Sequence, residues 1–78
     1  MPTAFVCITT EPASIVEVLK EVKAVEGVEQ AQMVYGIYDI VAKVKGETMD
    51  KLKQIITEHI RRIDKVRTTL TMMVVESK

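Results

Sequence analysis

The sequence lacks most of the residues on which small-protein chemistry usually rests. Its one cysteine, Cys7, excludes an intrachain disulfide, and a lone thiol suits a reduced compartment better than a secreted one. One histidine, His59, and one cysteine cannot by themselves complete a tetrahedral zinc site. Tryptophan is absent and Phe5, Tyr35 and Tyr38 are the only aromatics, so no basic segment is interleaved with rings that could stack on bases. The three glycines, Gly27, Gly36 and Gly46, stand far apart. They form no phosphate loop or dinucleotide fingerprint, and no nucleophile elbow is present. No apolar run approaches the ~18 residues that span a bilayer. Met1-Pro2-Thr3-Ala4 has no basic leader, so a signal peptide is not expected. Neither sign of charge dominates: eleven Lys and Arg balance eleven Asp and Glu, which removes any general electrostatic case for nucleic acid or an anionic membrane. No metal, cofactor, nucleic-acid or membrane partner is expected, and the expected location is cytoplasmic.

What is present is an ordinary globular composition, 47% hydrophobic and 28% charged over 78 residues. That length holds one domain, taken as residues 1–78. The β-branched run Ala4–Thr10 predicts a strand. Glu11-Pro12 breaks it, and Ile15, Val18, Leu19 and Val22 then recur at helical spacing. Ser14 and Glu17 fit a capping box for that helix, and Gly27 is placed to end it in a left-handed cap. Val28–Tyr35 alternates as a second strand, with Val28, Gln30, Gln32 and Val34 on one face. Gly36-Ile37-Tyr38 reads as a turn and Asp39–Lys45 as a third strand. Thr48 caps a second helix with the stripe Met49, Leu52, Ile56, Ile60 and Ile63. Val66–Glu76 reads as the fourth strand.

The order βαββαβ is a βαβ unit used twice. Val25-Glu26-Gly27-Val28 even aligns with Ile63-Asp64-Lys65-Val66 at the two helix-to-strand junctions. Two right-handed units joined by a hairpin predict an α+β, ferredoxin-like sandwich: an antiparallel four-stranded sheet with two helices on one face. The other face should then be polar, yet both faces of the first and fourth strands are apolar. A second copy covering that face, in a sheet-to-sheet or sheet-edge homodimer, would account for the surplus.

Few residues point to catalysis. His59 lies at the flank of the second helix's stripe with no nucleophile beside it in sequence. Cys7 sits among apolar neighbours as a small hydrophobe. Arg61, Arg62, Lys65 and Arg67 read as a solvated basic surface. The segment Tyr35-Gly36-Ile37-Tyr38-Asp39 is denser: two tyrosines, a glycine and a carboxylate within five residues at a hairpin tip. It is either a tight turn with aromatic flanks or a recognition loop, with glycine-freed N–H groups for a carboxylate and Asp39 for an ammonium. Thr68, Thr69 and Thr71 offer hydroxyls at the start of the last strand, or simply β propensity.

The string Val34-Tyr35-Gly36-Ile37-Tyr38-Asp39-Ile40-Val41-Ala42-Lys43-Val44 closely resembles the G-x-Y-D strand of the effector-binding (RAM) domain of the Lrp/AsnC family. Ile8-Thr9-Thr10-Glu11-Pro12, Glu26-Gly27-Val28 and Val66-Arg67-Thr68-Thr69-Leu70-Thr71 resemble three further segments of it, in the right order. The resemblance covers Ala4 to Glu76. It implies a dimeric α+β barrel, a homodimer that assembles into an octamer or similar ring. It also implies an amino acid or related small effector bound near Tyr35, Gly36, Tyr38, Asp39, Thr68, Thr69 and Thr71. Full regulators of this family carry a helix-turn-helix domain. The chain resembles a stand-alone form without one, expected to act in control of amino-acid metabolism through a partner such as a full-length regulator. The expected role is sensing rather than catalysis. A small barrel enzyme and an assembly module without a ligand are the alternatives.

Overall fold

The β-branched start of the chain forms β1, Thr3–Thr10, and its alternation buries Ala4, Val6 and Ile8 completely. The structure is a computed structural model and describes residues 1–75. After β1 come α1 (Ile15–Lys23), β2 (Val28–Met33), β3 (Ile40–Lys45), α2 (Met49–Gln54), a π-helical segment (Ile55–Ile60) and β4 (Val66–Met73). The sheet order is β2-β3-β1-β4, antiparallel at every junction. This is the ferredoxin-like arrangement expected from the repeated βαβ order.

One core lies between the sheet and the helices. Ala4, Val6 and Ile8 of β1 and Ile40, Ala42 and Val44 of β3 meet Val18 and Val22 of α1 and Leu52, Ile56 and Ile60 of the second helical stretch. The stripe read from the sequence therefore holds at Leu52, Ile56 and Ile60, while Met49 is exposed and Ile63 packs at the margin. The helix itself differs from expectation, because it widens into π geometry over its second half. Arg61 N–H donates to the carbonyl of Ile56, five residues back, at 2.9 Å. The spacing explains why burial survives. Four residues of α-helix overshoot a full turn by about 40°, and the wider π turn falls short of one, so the two deviations oppose each other along the stripe.

The caps divide. Thr48 Oγ1 accepts from Lys51 N–H at 3.1 Å, as its position before α2 predicts. Ser14 makes no side-chain cap bond, so the capping box with Glu17 does not form. Ser14 is instead buried, and its carbonyl accepts from Val18 N–H. Gly27 has the expected positive φ of 103°, but α1 ends earlier, at the right-handed Ala24. Gly27 turns the chain into β2.

Two strand assignments are corrected. A register shift between Val28 and Gln30 places Val28 opposite Val44, on the same face as Ala31 and Met33. Strict alternation had put Val28 with Gln30 and Gln32; the bulge adds one residue and reverses it. β2 also stops at Met33, short of Tyr35. β4 stops at Met73; Glu76, its expected last residue, lies outside the described residues.

The register sorts the outer face of the sheet, away from the helices. Phe5 pairs with Met72, and Cys7 pairs with both Leu70 and Val41. Leu70 and Met72 are 46% and 48% exposed. Toward β2 the same face turns polar. Glu29 lies 3.1 Å from Lys45 Nζ and 3.7 Å from Lys43 Nζ. The hydrogen bond from Lys45 holds the Glu29 carboxyl below its ordinary range against some desolvation, and the charges of Lys45 and Lys43 add to this.

Candidate functional site

Three segments meet at the end of the sheet where β1 finishes: the β2–β3 hairpin, Thr9 and Thr10, and the start of β4. The hairpin is closed by Val34 N–H donating to the Asp39 carbonyl at 2.8 Å. Between them Tyr35, Gly36, Ile37 and Tyr38 form the tip. Gly36 takes φ 143° with open space where a side chain would stand. Tyr35 is fully exposed (106%), and Tyr38 is half-buried.

Asp39 ties this hairpin to β1. Its N–H donates to the Ile8 carbonyl at 2.9 Å, and its Oδ2 accepts from Thr10 N–H at 2.9 Å. The carboxylate therefore stands at a fixed place with one oxygen engaged. On the other side of β1 the pairing with β4 slips: Thr9 faces Thr68, but Thr10 faces Val66, leaving Arg67 as the extra residue. Such a bulge disrupts the ladder locally. Thr9 repairs it: its Oγ1 accepts from Thr68 N–H at 3.1 Å and lies 2.6 Å from Thr68 Oγ1.

The three threonines named from the sequence do not converge. Thr68 pairs with Thr9 on the outer face, whereas Thr69 and Thr71 pair with Ile8 and Val6 and turn toward the helices. Asp39 and Thr68 are each tied to the end of β1, by Thr10 and Thr9 respectively, which sequence reasoning did not single out. The signal for them was two adjacent threonines at a strand end. The register that gives them partners is a tertiary property.

Other chemistry-bearing residues lie elsewhere. His59 is exposed on a groove of about 810 Å³ between the helices, with Glu21, Val25, Lys51, Ile55 and Ile63. Cys7 is buried. Arg61, Arg62, Lys65 and Arg67 are all exposed. Among the described residues no cluster of three or more His, Cys, Asp or Glu could hold a metal ion, and no helix is long and apolar enough to cross a membrane.

The class defined by this fold is the ferredoxin-like α+β domain, and solved structures share it. AsnC of Escherichia coli superimposes with a TM-score of 0.88 at 25% identity, over 97% of this chain and 52% of that one. A hypothetical protein of Pyrococcus horikoshii superimposes with a TM-score of 0.90 at 36% identity, over 99% of this chain and 93% of that one. Within this class the particular family is settled by sequence: the Lrp/AsnC ligand binding domain matches residues 3–78, and the chain belongs to that family. An uncharacterized HTH-type transcriptional regulator of Pyrococcus abyssi is 31% identical over 75 residues, which are 96% of this chain and 48% of the relative. The chain spans about half the length of the curated relatives it matches.

Proposed function

We propose that the chain is an oligomeric effector-binding module that senses a free amino acid and serves transcriptional control through a regulator with which it associates. The observation that carries this reading is the pairing of opposite hydrogen-bonding characters at one place. Asp39 presents a carboxylate fixed by Thr10 N–H, and Thr9 and Thr68 present hydroxyls held to each other. An α-amino acid offers the complementary pair, an ammonium for Asp39 and a carboxylate for O–H or N–H donors. Gly36, with its positive φ and open flank, adds the N–H groups of the tip as further donors, and Tyr35 and Tyr38 supply ring surface for the effector's side chain.

The apolar outer face around Phe5, Cys7, Val41, Leu70 and Met72 is the surface on which a second copy packs, and rings such as octamers are built from these dimers. A full-length regulator of the family is the partner that would carry the signal to DNA. The chain acts as a binder and not an enzyme. His59, its one imidazole, is exposed and stands on the inter-helix groove, away from the threonines and Asp39.

Native mass spectrometry of the protein with and without an equimolar mixture of the twenty proteinogenic L-amino acids tests this. A ring of dimers gaining the discrete mass of one amino acid is the expected result. A ring with no added mass would leave an assembly module in place of a sensor.

A further inference from the structure

Thr9 is not among the residues that the sequence pointed to, yet it holds Thr68 by two hydrogen bonds. The bulge at Arg67 frees the Thr68 amide from the ladder, and Thr9 Oγ1 accepts it at 3.1 Å. The two hydroxyls then share a bond of 2.6 Å. Each threonine brings one hydroxyl proton. One of the two lies between the oxygens and the other is left to donate outward, whichever oxygen carries it. The next residue, Thr10, donates its amide to Asp39 Oδ2 at 2.9 Å. Among the described residues no donor bonds the other oxygen of Asp39, Oδ1. Two consecutive residues of β1 thus hold a carboxylate acceptor on the β3 flank and an O–H donor on the β4 flank of the same strand end.

We infer that Thr9 is a positioning residue of the effector site: it locks Thr68 so that the hydroxyl pair presents a single donor to the effector's carboxylate, while the Asp39 carboxylate on the other flank of β1 takes its ammonium. The inference rests on the amino-acid reading above and assigns the carboxylate end of the ligand to the Thr9–Thr68 pair. Without the Thr9 hydroxyl, Thr68 loses both its hydroxyl partner and the acceptor for its amide. Its side chain is then free to rotate, and the donor is no longer held in place.

The test uses the mixture of twenty L-amino acids as one probe and the matching mixture of amino-acid amides, which lack the carboxylate, as the other. Wild type, Thr9→Val, Thr9→Ser, Thr68→Val and the Thr9→Val/Thr68→Val double variant are compared by native mass spectrometry and thermal melting. Loss of a hydrogen bond to a charged group predicts that Thr9→Val weakens the amino-acid adduct about tenfold. Thr9→Ser recovers it, Thr68→Val matches the loss, and the double variant adds nothing, because the pair acts as one donor. Binding of the amides should be weak and equal in wild type and Thr9→Val. That equality separates carboxylate recognition from a merely structural role. Thr68 is exposed, so Thr68→Val reports even if Thr9→Val does not fold. Wild-type affinity in Thr68→Val, additive losses in the double variant, or an equal loss for the amides would overturn the assignment. A wild-type protein that takes up no amino acid would overturn the sensor reading itself, and this assignment with it.

Discussion

Gly27 and Lys65 occupy the same position in the two βαβ halves, one residue before β2 and β4, and both have positive φ, 103° and 74°. The same turn leads from helix to strand twice, once with glycine and once with a lysine. A side chain in the left-handed region costs about 1–2 kcal/mol. The Lys65 carbonyl accepts from Glu11 N–H at 3.0 Å, a bond that requires the turn. Lys65→Gly should therefore stabilise the fold. The gain is reduced to about 0.5–1 kcal/mol by the greater freedom of glycine in the unfolded chain. The exposed contact of Lys65 Nζ with Glu17 Oε1 at 3.4 Å is lost as well, and such pairs contribute little. Urea melts of Lys65→Gly and Glu17→Gln separate the two effects.

At Gly27 the reverse substitution meets a wall. An added Cβ would stand 2.7 Å from Ile55 Cδ1 and 3.0 Å from the Lys45 carbonyl oxygen. The isoleucine can shift its terminal methyl; the carbonyl belongs to β3 and cannot move easily, because Lys45 N–H donates to the Gly27 carbonyl at 2.8 Å. Strain at positive φ adds to this contact. Gly27→Ala should lose about 2 kcal/mol or more in an equilibrium urea melt, although alanine is the milder change by size.

Glu29 gives the fold a pH dependence with a definite sign. Its folded carboxyl is held below the ordinary value, first by the Lys45 hydrogen bond. A depressed folded pKa means that stability is fully present above the unfolded value and is lost as pH falls through the folded one. The melting temperature of wild type relative to Glu29→Gln should thus be highest near neutral pH. The difference should shrink as pH drops below the ordinary glutamate range, and added salt should compress it throughout.

The general plan was legible in the sequence because it rests on periodicity. Val18 and Val22, then Leu52, Ile56 and Ile60, are spaced to share a helix face, and all five are buried in the core. Thr48 could be read as a cap because capping is local. What stayed hidden depends on pairing between distant segments. The bulge that moves Val28 to the inner face is a matter of register with β3. The separation of Thr68 from Thr69 and Thr71 follows from strand alternation, but the bond of Thr68 to Thr9 spans 59 residues. The widening of the second helix left no sequence mark, since its apolar spacing of four suits both helix types.

Asp39 is expected to have two separable roles. Its carboxylate accepts the Thr10 amide, and under the proposed function its charge meets an ammonium. Asp39→Asn keeps an oxygen for Thr10 and removes the charge, so its melting temperature should stay near wild type while amino-acid binding falls about tenfold or more. Asp39→Ala also leaves the Thr10 amide unpaired and should cost about 1–3 kcal/mol of stability. Calorimetric melts and native mass spectra of the two variants make the distinction. Unchanged amino-acid binding in both variants would show that the ammonium goes elsewhere.

The outer sheet face makes the last prediction. Leu70 and Met72 are about half exposed beside Phe5 and Cys7, on a surface that a second copy would cover. A charge at its centre should be tolerated by a lone protomer, because position 70 already meets water and surface changes stay within about 0.5 kcal/mol. The same charge buried without a partner between two sheets is expensive. Leu70→Glu should therefore sediment as a monomer in analytical ultracentrifugation at concentrations where wild type is dimeric or larger, with its far-UV circular dichroism unchanged. If Leu70→Glu sediments as wild type does, the copies meet through another surface, and the apolar face needs a different occupant.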